Sequence, residues 1–124
     1  MARVEITHNI GPEVFNSVSK TIAAGQKDFV SEPIDVKYYT LHSYQVLSDI
    51  EEIDFTIIAS NISDEHGNPS LDFENDWTVI SSHSVAPNVP FGYSDIWNFN
   101  FSAVIVKNFS DKDTTVKVFE KHNA

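Results

Sequence analysis

The sequence predicts an all-β protein, a single antiparallel β-sandwich of jelly-roll type with about eight strands. Apolar and polar residues alternate with a period of two in short runs such as YYTLHSYQVL, FSAVIVKNF and TTVKVFEK. This alternation is typical of strands that bury one face. Turn-forming residues separate the runs, and no window has the spacing of an amphipathic helix.

The first half of the chain contains the following predicted strands, in order. ARVEIT alternates, and a Gly-Pro pair separates it from SVSKTI, which ends before Gly25. FVSEPIDV is extended, because Pro33 restricts the residue before it and cannot donate to a central strand. YYTLHSYQVL follows, and VLSDIEEIDF predicts one tight connection into IDFTIIAS. That strand places three apolar residues on one face: Ile53, Phe55 and Ile57.

The second half continues the pattern after a polar connection over residues 60–76. Trp77 opens the strand TVISSHSV, where a large ring can cap the edge of the core. WNFNFSAVIVKNF reads as one strand from its first residue, SDKDTT as a hairpin turn, and TTVKVFEK as a strand with Val116 and Val118 inward. The tail EKHNA is expected to fray. Alternation assigns five aromatic residues to the core: Tyr39, Phe55, Trp97, Phe99 and Phe101.

Length and charge restrict the possible functions. The 124 residues predict one domain over 1–124. The net charge of -10 repels phosphate groups, so neither nucleic acid nor an anionic membrane is an expected partner. The N-terminal MARVEITHNIGPEVF shows no signal-peptide segment, and the chain has no cysteine. Both features favour folding in a reducing cytoplasm.

Catalytic and metal-binding patterns are not recognisable. The histidines do not have the close spacing of a zinc motif, although His42 and His83 could meet across strands. DEHGN and DFEND offer oxygen ligands for calcium without EF-hand spacing. A solvated turn closed by Asx hydrogen bonds is the simpler interpretation of the same residues. We therefore expect no enzyme activity, no metal and no cofactor.

Several segments resemble small β-sandwich virion proteins of tailed bacteriophages. The resemblance lies in TIAAGQKDF, SEPIDVKYYTLHSYQV, FTIIASN, DEHGN, DWTVI and FSAVIVKNFSDKDTTVKVFEK, which together cover most of residues 21–121. The connection between Asn61 and Trp77 is longer here than the tight loop of that family. These are scaffold segments, so the resemblance carries over no catalytic residue.

The resemblance implies a non-enzymatic virion protein that folds in the bacterial host cytoplasm. The expected role is a capsid decoration or cement protein, which bridges neighbouring capsid subunits and works as a symmetric homo-oligomer, often a trimer. Its partners would be the major capsid protein or other virion proteins. The alternative is a tail, neck or baseplate component that binds a host surface or carbohydrate through rings such as Tyr93 or Trp77.

Three segments are candidates for the contact with a partner. The loop APNVPFGY carries apolar side chains among turn residues, either as a contact surface or with Phe91 folded back over the sandwich. Residues 1–15 form either an arm that pairs with a neighbour or an ordinary first strand. The 60–76 connection is the third, because long loops are often functional. The predicted interface residues are Val89, Phe91, Tyr93, Val4, Ile6, Asn61 and Trp77.

Overall fold

Nine β-strands form the regular structure of residues 13–30 and 32–124, which are the residues described in this computed structural model. Strand lengths range from two to ten residues. The strands are β1 (Val14–Ile22), β2 (Lys27–Phe29), β3 (Ile34–Asp35), β4 (Leu41–Ser48), β5 (Ile53–Ser60), β6 (Thr78–Val85), β7 (Phe91–Ile96), β8 (Phe101–Asn108) and β9 (Thr114–Asn123).

The strands form two antiparallel sheets in jelly-roll order. One sheet has the order β1-β9-β4-β7, and the other has the order β2-β8-β5-β6 with β3 also paired to β8. Because β2 and β3 lie along the same strand, the nine strands fill the eight positions of a jelly roll. The predicted fold class is therefore confirmed.

The core lies between the sheets and is built from alternate residues of the long strands. Phe55, Ile57, Val104 and Val116 are fully buried within one cluster. This confirms that Ile53, Phe55 and Ile57 share an inward face and that Val116 and Val118 point inward. Phe101 is buried, whereas Tyr39, Trp97 and Phe99 are only half-buried.

Three predictions about the second half are wrong. The strand expected from Trp97 begins only at Phe101, because residues 97–100 cross from one sheet to the other. Residues 109–113 likewise connect β8 to β9 across the two sheets and do not form a hairpin. The tail does not fray, because β9 continues to Asn123 with Glu120 and His122 buried.

The long connection between β5 and β6 packs over the outer face of its own sheet. The Phe73 ring lies 4.5 Å from Phe29 and 5.3 Å from Trp77, measured between ring centroids. The Trp77 indole N–H donates to the Ser70 carbonyl at 3.0 Å. Ile58 lines the same groove as the Phe73 and Trp77 rings and is only 5% exposed. The connection therefore covers apolar surface that the sandwich alone would leave in water.

We expect the substitution Trp77→Ala to destabilise the fold by about 2 kcal/mol. The Trp77 ring is half-buried, so the loss should fall below the full cost of about 3 to 5 kcal/mol for a core aromatic. Urea unfolding followed by circular dichroism would measure it. The control is Leu71→Ala, because Leu71 lies in the same connection and is 77% exposed. Equal stability of both variants would contradict a packing role for Trp77.

Candidate partner-binding surface

The outer face of the β1-β9-β4-β7 sheet carries no acidic side chain, although the chain contains 18 acidic residues. We call it the acid-free face. Its outward residues alternate with the buried ones and are mostly Ser, Thr and apolar residues. They are Phe15, Ser17, Ser19, Thr21, Leu41, Ser43, Gln45, Leu47, Gly92, Ser94, Ile96, Thr115, Lys117, Phe119, Lys121 and Asn123.

Two phenylalanines lie near each other on this face. Phe15 is paired with Lys121 and Phe119 with Ser17, so the two rings are diagonal neighbours on adjacent strands. Phe15 is 68% exposed and Phe119 is 45% exposed. Ile96, at the opposite edge of the sheet, is 75% exposed. Large apolar side chains are thus exposed on a nearly flat surface.

The charges on this face are positive. Lys117 and Lys121 flank Phe119 on β9, and the Lys121 ammonium lies 5.9 Å from the centre of the Phe15 ring. Two carboxylates stand at the rim of the face: Glu13 pairs with Lys121 at 3.5 Å, and Asp49 accepts a hydrogen bond from the Thr115 backbone N–H at 2.8 Å. A partner that covers only the centre of this face would therefore bury no carboxylate. Depletion of acidic residues together with exposed aromatics is typical of the centre of protein interfaces.

The predicted contact loop is shorter than expected. Val89 is 57% exposed in the connection between β6 and β7. Phe91 and Tyr93 instead belong to β7, and both pack against the core. The Phe91 ring lies 6.5 Å from Phe55 and 4.9 Å from His83, which matches the folded-back alternative. Of these three residues, only Val89 presents an apolar side chain mainly to solvent.

The remaining predicted interface residues lie elsewhere. Asn61 accepts a hydrogen bond from the Asn100 backbone N–H at 2.8 Å, and so holds two connections together. Trp77 precedes β6 whereas Val89 follows it, and eight strand residues span about 27 Å. The predicted residues that the structure describes are therefore spread over both ends of β6. Val4 and Ile6, with most of the predicted arm, lie outside the described residues.

A chain of buried polar groups crosses the inner side of the same sheet. His42 and His122 face each other with their Nδ1 atoms 2.8 Å apart, and neither ring is exposed. His42 Nε2 lies 3.1 Å from the Trp97 carbonyl oxygen, and His122 Nε2 lies 3.2 Å from Glu120 Oε1. Asn16 donates to the second Glu120 oxygen at 3.2 Å. The His42 ring also stacks on Trp97 at 3.5 Å.

The hydrogen bonds fix where the protons lie. A carbonyl only accepts, so His42 Nε2 carries a hydrogen and, in the neutral ring, Nδ1 accepts. His122 Nδ1 must then donate to His42. One further proton is needed between His122 Nε2 and Glu120, since a lone pair would otherwise face a carboxylate. Hydrogen bonds therefore join the three side chains into one structural unit.

Burial determines the charge state of this network. Desolvation lowers the pKa of His42 to about 4, and the neighbouring His122 adds to this effect, while the Trp97 carbonyl and Asp95 oppose it. Burial also raises the pKa of Tyr44 far above its usual value. The Tyr44 hydroxyl is hydrogen-bonded to Ser102 at 3.0 Å. His42 is thus neutral at pH 7.

The two residue sets that were weighed as metal ligands have other contacts in the structure. His42 contacts His122, whereas His83 lies in the other sheet against Phe91 and Tyr93. The Asp64 carboxylate accepts from two backbone N–H groups of its own turn, at 2.8 and 2.9 Å. Those bonds lower the pKa of Asp64. Among the described residues, no group of three or more His, Cys, Asp or Glu side chains is placed to hold a metal ion.

The acid-free face and the buried network were both missed by the sequence interpretation. The alternation of β9 could have predicted that Glu120 and His122 are buried, because they continue the inward series of Val116 and Val118. The same register places Phe119 outward between two lysines.

The described residues also include no helix that could cross a membrane.

No protein-family model matches the chain, and no curated protein matches it. Several solved structures match its fold. PirA aligns with a TM-score of 0.54 at 11% identity, over 94% of this chain and 99% of that one. The Yersinia pseudotuberculosis-derived mitogen aligns with a TM-score of 0.50 at 11% identity, over 91% and 88% of the two chains. At such low identity the likeness extends to the fold alone.

Proposed function

We propose that this protein is a non-enzymatic structural protein of a tailed-phage virion that decorates the capsid. The acid-free face is the observation that carries the proposal. It would lie against the shell, while the acidic connections and the other sheet face solvent. Burial of Phe15 and Phe119 would add interface free energy and slow dissociation.

The chemistry of the face supports a protein partner. Four strands of about eight residues cover about 500 Å², so the adjoining connections would have to contribute the rest of the about 800 Å² on each side of a standard interface. Lys117, which forms no ion pair among the described residues, would pair with an acidic group on the shell and orient the protein. The acidic remainder of the surface would keep decorated particles apart by like-charge repulsion.

The alternative role in carbohydrate binding gains less support from the geometry. The Trp77 ring is half-buried against Phe73, and its N–H is already bonded to Ser70. The Tyr93 hydroxyl donates to Asp95 at 2.7 Å, and its ring contacts His83. Neither ring is displayed as an open stacking platform.

The location of the protein in the particle tests the proposal. Cryo-electron microscopy of purified source particles should show many copies on the capsid lattice, with the β1-β9-β4-β7 sheet against the shell. A few copies at the neck, tail or baseplate would instead support the alternative role. Absence from the particle would overturn both roles.

Substitution of one residue on each candidate surface identifies the contact. We expect Phe119→Glu to weaken binding to undecorated particles at least about tenfold, because a carboxylate would be buried at the interface. Leu71→Glu and Val89→Glu add the same charge at exposed sites outside the face and should bind as the parent does. Co-sedimentation measures all three. Loss of binding in either control, with Phe119→Glu unaffected, would assign the contact to that loop.

A further inference from the structure

Each sheet has two edge strands, and three of the four edges carry features that discourage pairing with another chain. β1 has the inward Lys20, which pairs with Asp28 of the other sheet at 3.1 Å. β7 includes the inward Asp95. β2 and β3 are short, and Pro33 lies between them. Inward charges, short strands and proline are the usual protections of sheet edges.

The fourth edge, β6, lacks these protections. Its eight residues, TVISSHSV, include no Asp, Glu, Lys, Arg or Pro. β6 pairs only with β5 among the described strands. A register shift between Ile57 and Ile58 leaves Ile80 without a partner, so the regular ladder covers Ser81 to Val85. The bulge lies near the start of β6, and the five residues after it offer backbone donors and acceptors in regular register.

The side chains of this segment form hydrogen bonds within their own chain. Ser82 Oγ lies 2.8 Å from Thr56 Oγ1, and Ser84 donates to Glu52 at 2.7 Å. Ser81 is bonded to His83. Small hydroxyl side chains with local partners leave room for another backbone to approach. The edge is thus suited to pairing through its main chain.

We propose that two copies of this chain associate by antiparallel pairing of β6 with β6, which joins their β2-β8-β5-β6 sheets into one continuous sheet. An antiparallel strand pair has a two-fold axis, so one strand supplies both halves of the ladder. The pairing brings together neutral residues of two chains that each carry a charge of -10. A partner strand with charged side chains would place those charges against the neutral side chains of β6. The inference is independent of the proposed function.

Single-cysteine crosslinking tests the pairing cleanly, because the chain contains no cysteine. The variants are Ser81→Cys, Ser82→Cys and Ser84→Cys, with Ser94→Cys on the acid-free face as control. A disulfide needs Cβ atoms about 3.5 to 4.5 Å apart, a distance reached only near the two-fold axis. We expect rapid dimer formation in at least one β6 variant. Faster crosslinking of Ser94→Cys than of every β6 variant would overturn the proposal.

Analytical ultracentrifugation of the full chain measures the same association without crosslinking. Like net charges repel, so dimerisation should strengthen as salt is raised from 0.05 to about 0.5 M. Ser82→Glu should weaken it at least about tenfold by adding like charges near the axis. Phe119→Glu should dimerise as the parent does, which separates this interface from particle binding. A monomer at all salt concentrations, or a trimer, would contradict the inference.

Discussion

Replacing Glu120 with leucine should lower the free energy of unfolding by about 3 kcal/mol, the order of the cost of leaving a buried polar group without its hydrogen-bond partner. Glu120 is 3% exposed and is the group bonded to His122 Nε2. Leucine would leave that buried nitrogen without its hydrogen-bond partner. Chemical denaturation at pH 7 measures the change.

Glu120→Gln is the matched control. A glutamine amide can donate to His122 Nε2 while its oxygen accepts from Asn16, so it reproduces a protonated Glu120 with no change in shape. We expect this variant to lose no more than about 1 kcal/mol. If Glu120→Leu is as stable as Glu120→Gln, the buried network does not stabilise the fold.

The fold could be predicted because its signal is local and repeated. Alternation in IDFTIIAS and TTVKVFEK identifies an inward face wherever apolar residues occupy it. The network remained hidden because its inward residues are polar. His42 is distant in sequence from Glu120 and His122 and meets them only when β4 pairs with β9. Pairing between distant strands cannot be read from one sequence.

The candidate surface was missed for a related reason. Turn residues around VPFGY suggested a loop contact, but β7 begins at Phe91 and turns that side chain towards the core. Phe15 and Phe119 are more than 100 positions apart and become neighbours through the β1-β9 register. Each strand alone shows exposed Ser, Thr and Phe. Only the sheet order reveals that their combined face excludes acidic residues.

Acidification from pH 6.5 to pH 4 should lower the free energy of unfolding by about 3 kcal/mol through His42 alone. Burial depresses the pKa of His42 from 6.5 to about 4 in the folded state. Between these two pKa values, His42 is protonated in the unfolded chain but remains neutral in the folded chain. The stability is therefore complete above pH 6.5 and is lost as the pH falls towards 4.

In addition to burial, the hydrogen-bond geometry opposes protonation of His42 in the folded state. A hydrogen on His42 Nδ1 would face the hydrogen that His122 Nδ1 already donates, at a nitrogen separation of 2.8 Å. Asp95, paired with His42 across the strands, offsets this effect only partly. Hydrogen bonds lower the pKa values of Asp49, Asp64, Asp72 and Asp95, so their stabilisation is lost only below about pH 4.

Denaturation midpoints at several pH values between 7 and 4.5 therefore report mainly on His42. The variant His42→Gln should be less stable than the parent at pH 7, and its stability should fall less steeply with acid. His66→Gln is the control, because His66 is exposed in the turn after Asp64 and lies outside the buried network. A His42→Gln variant with the full parental slope would assign the acid sensitivity to another group.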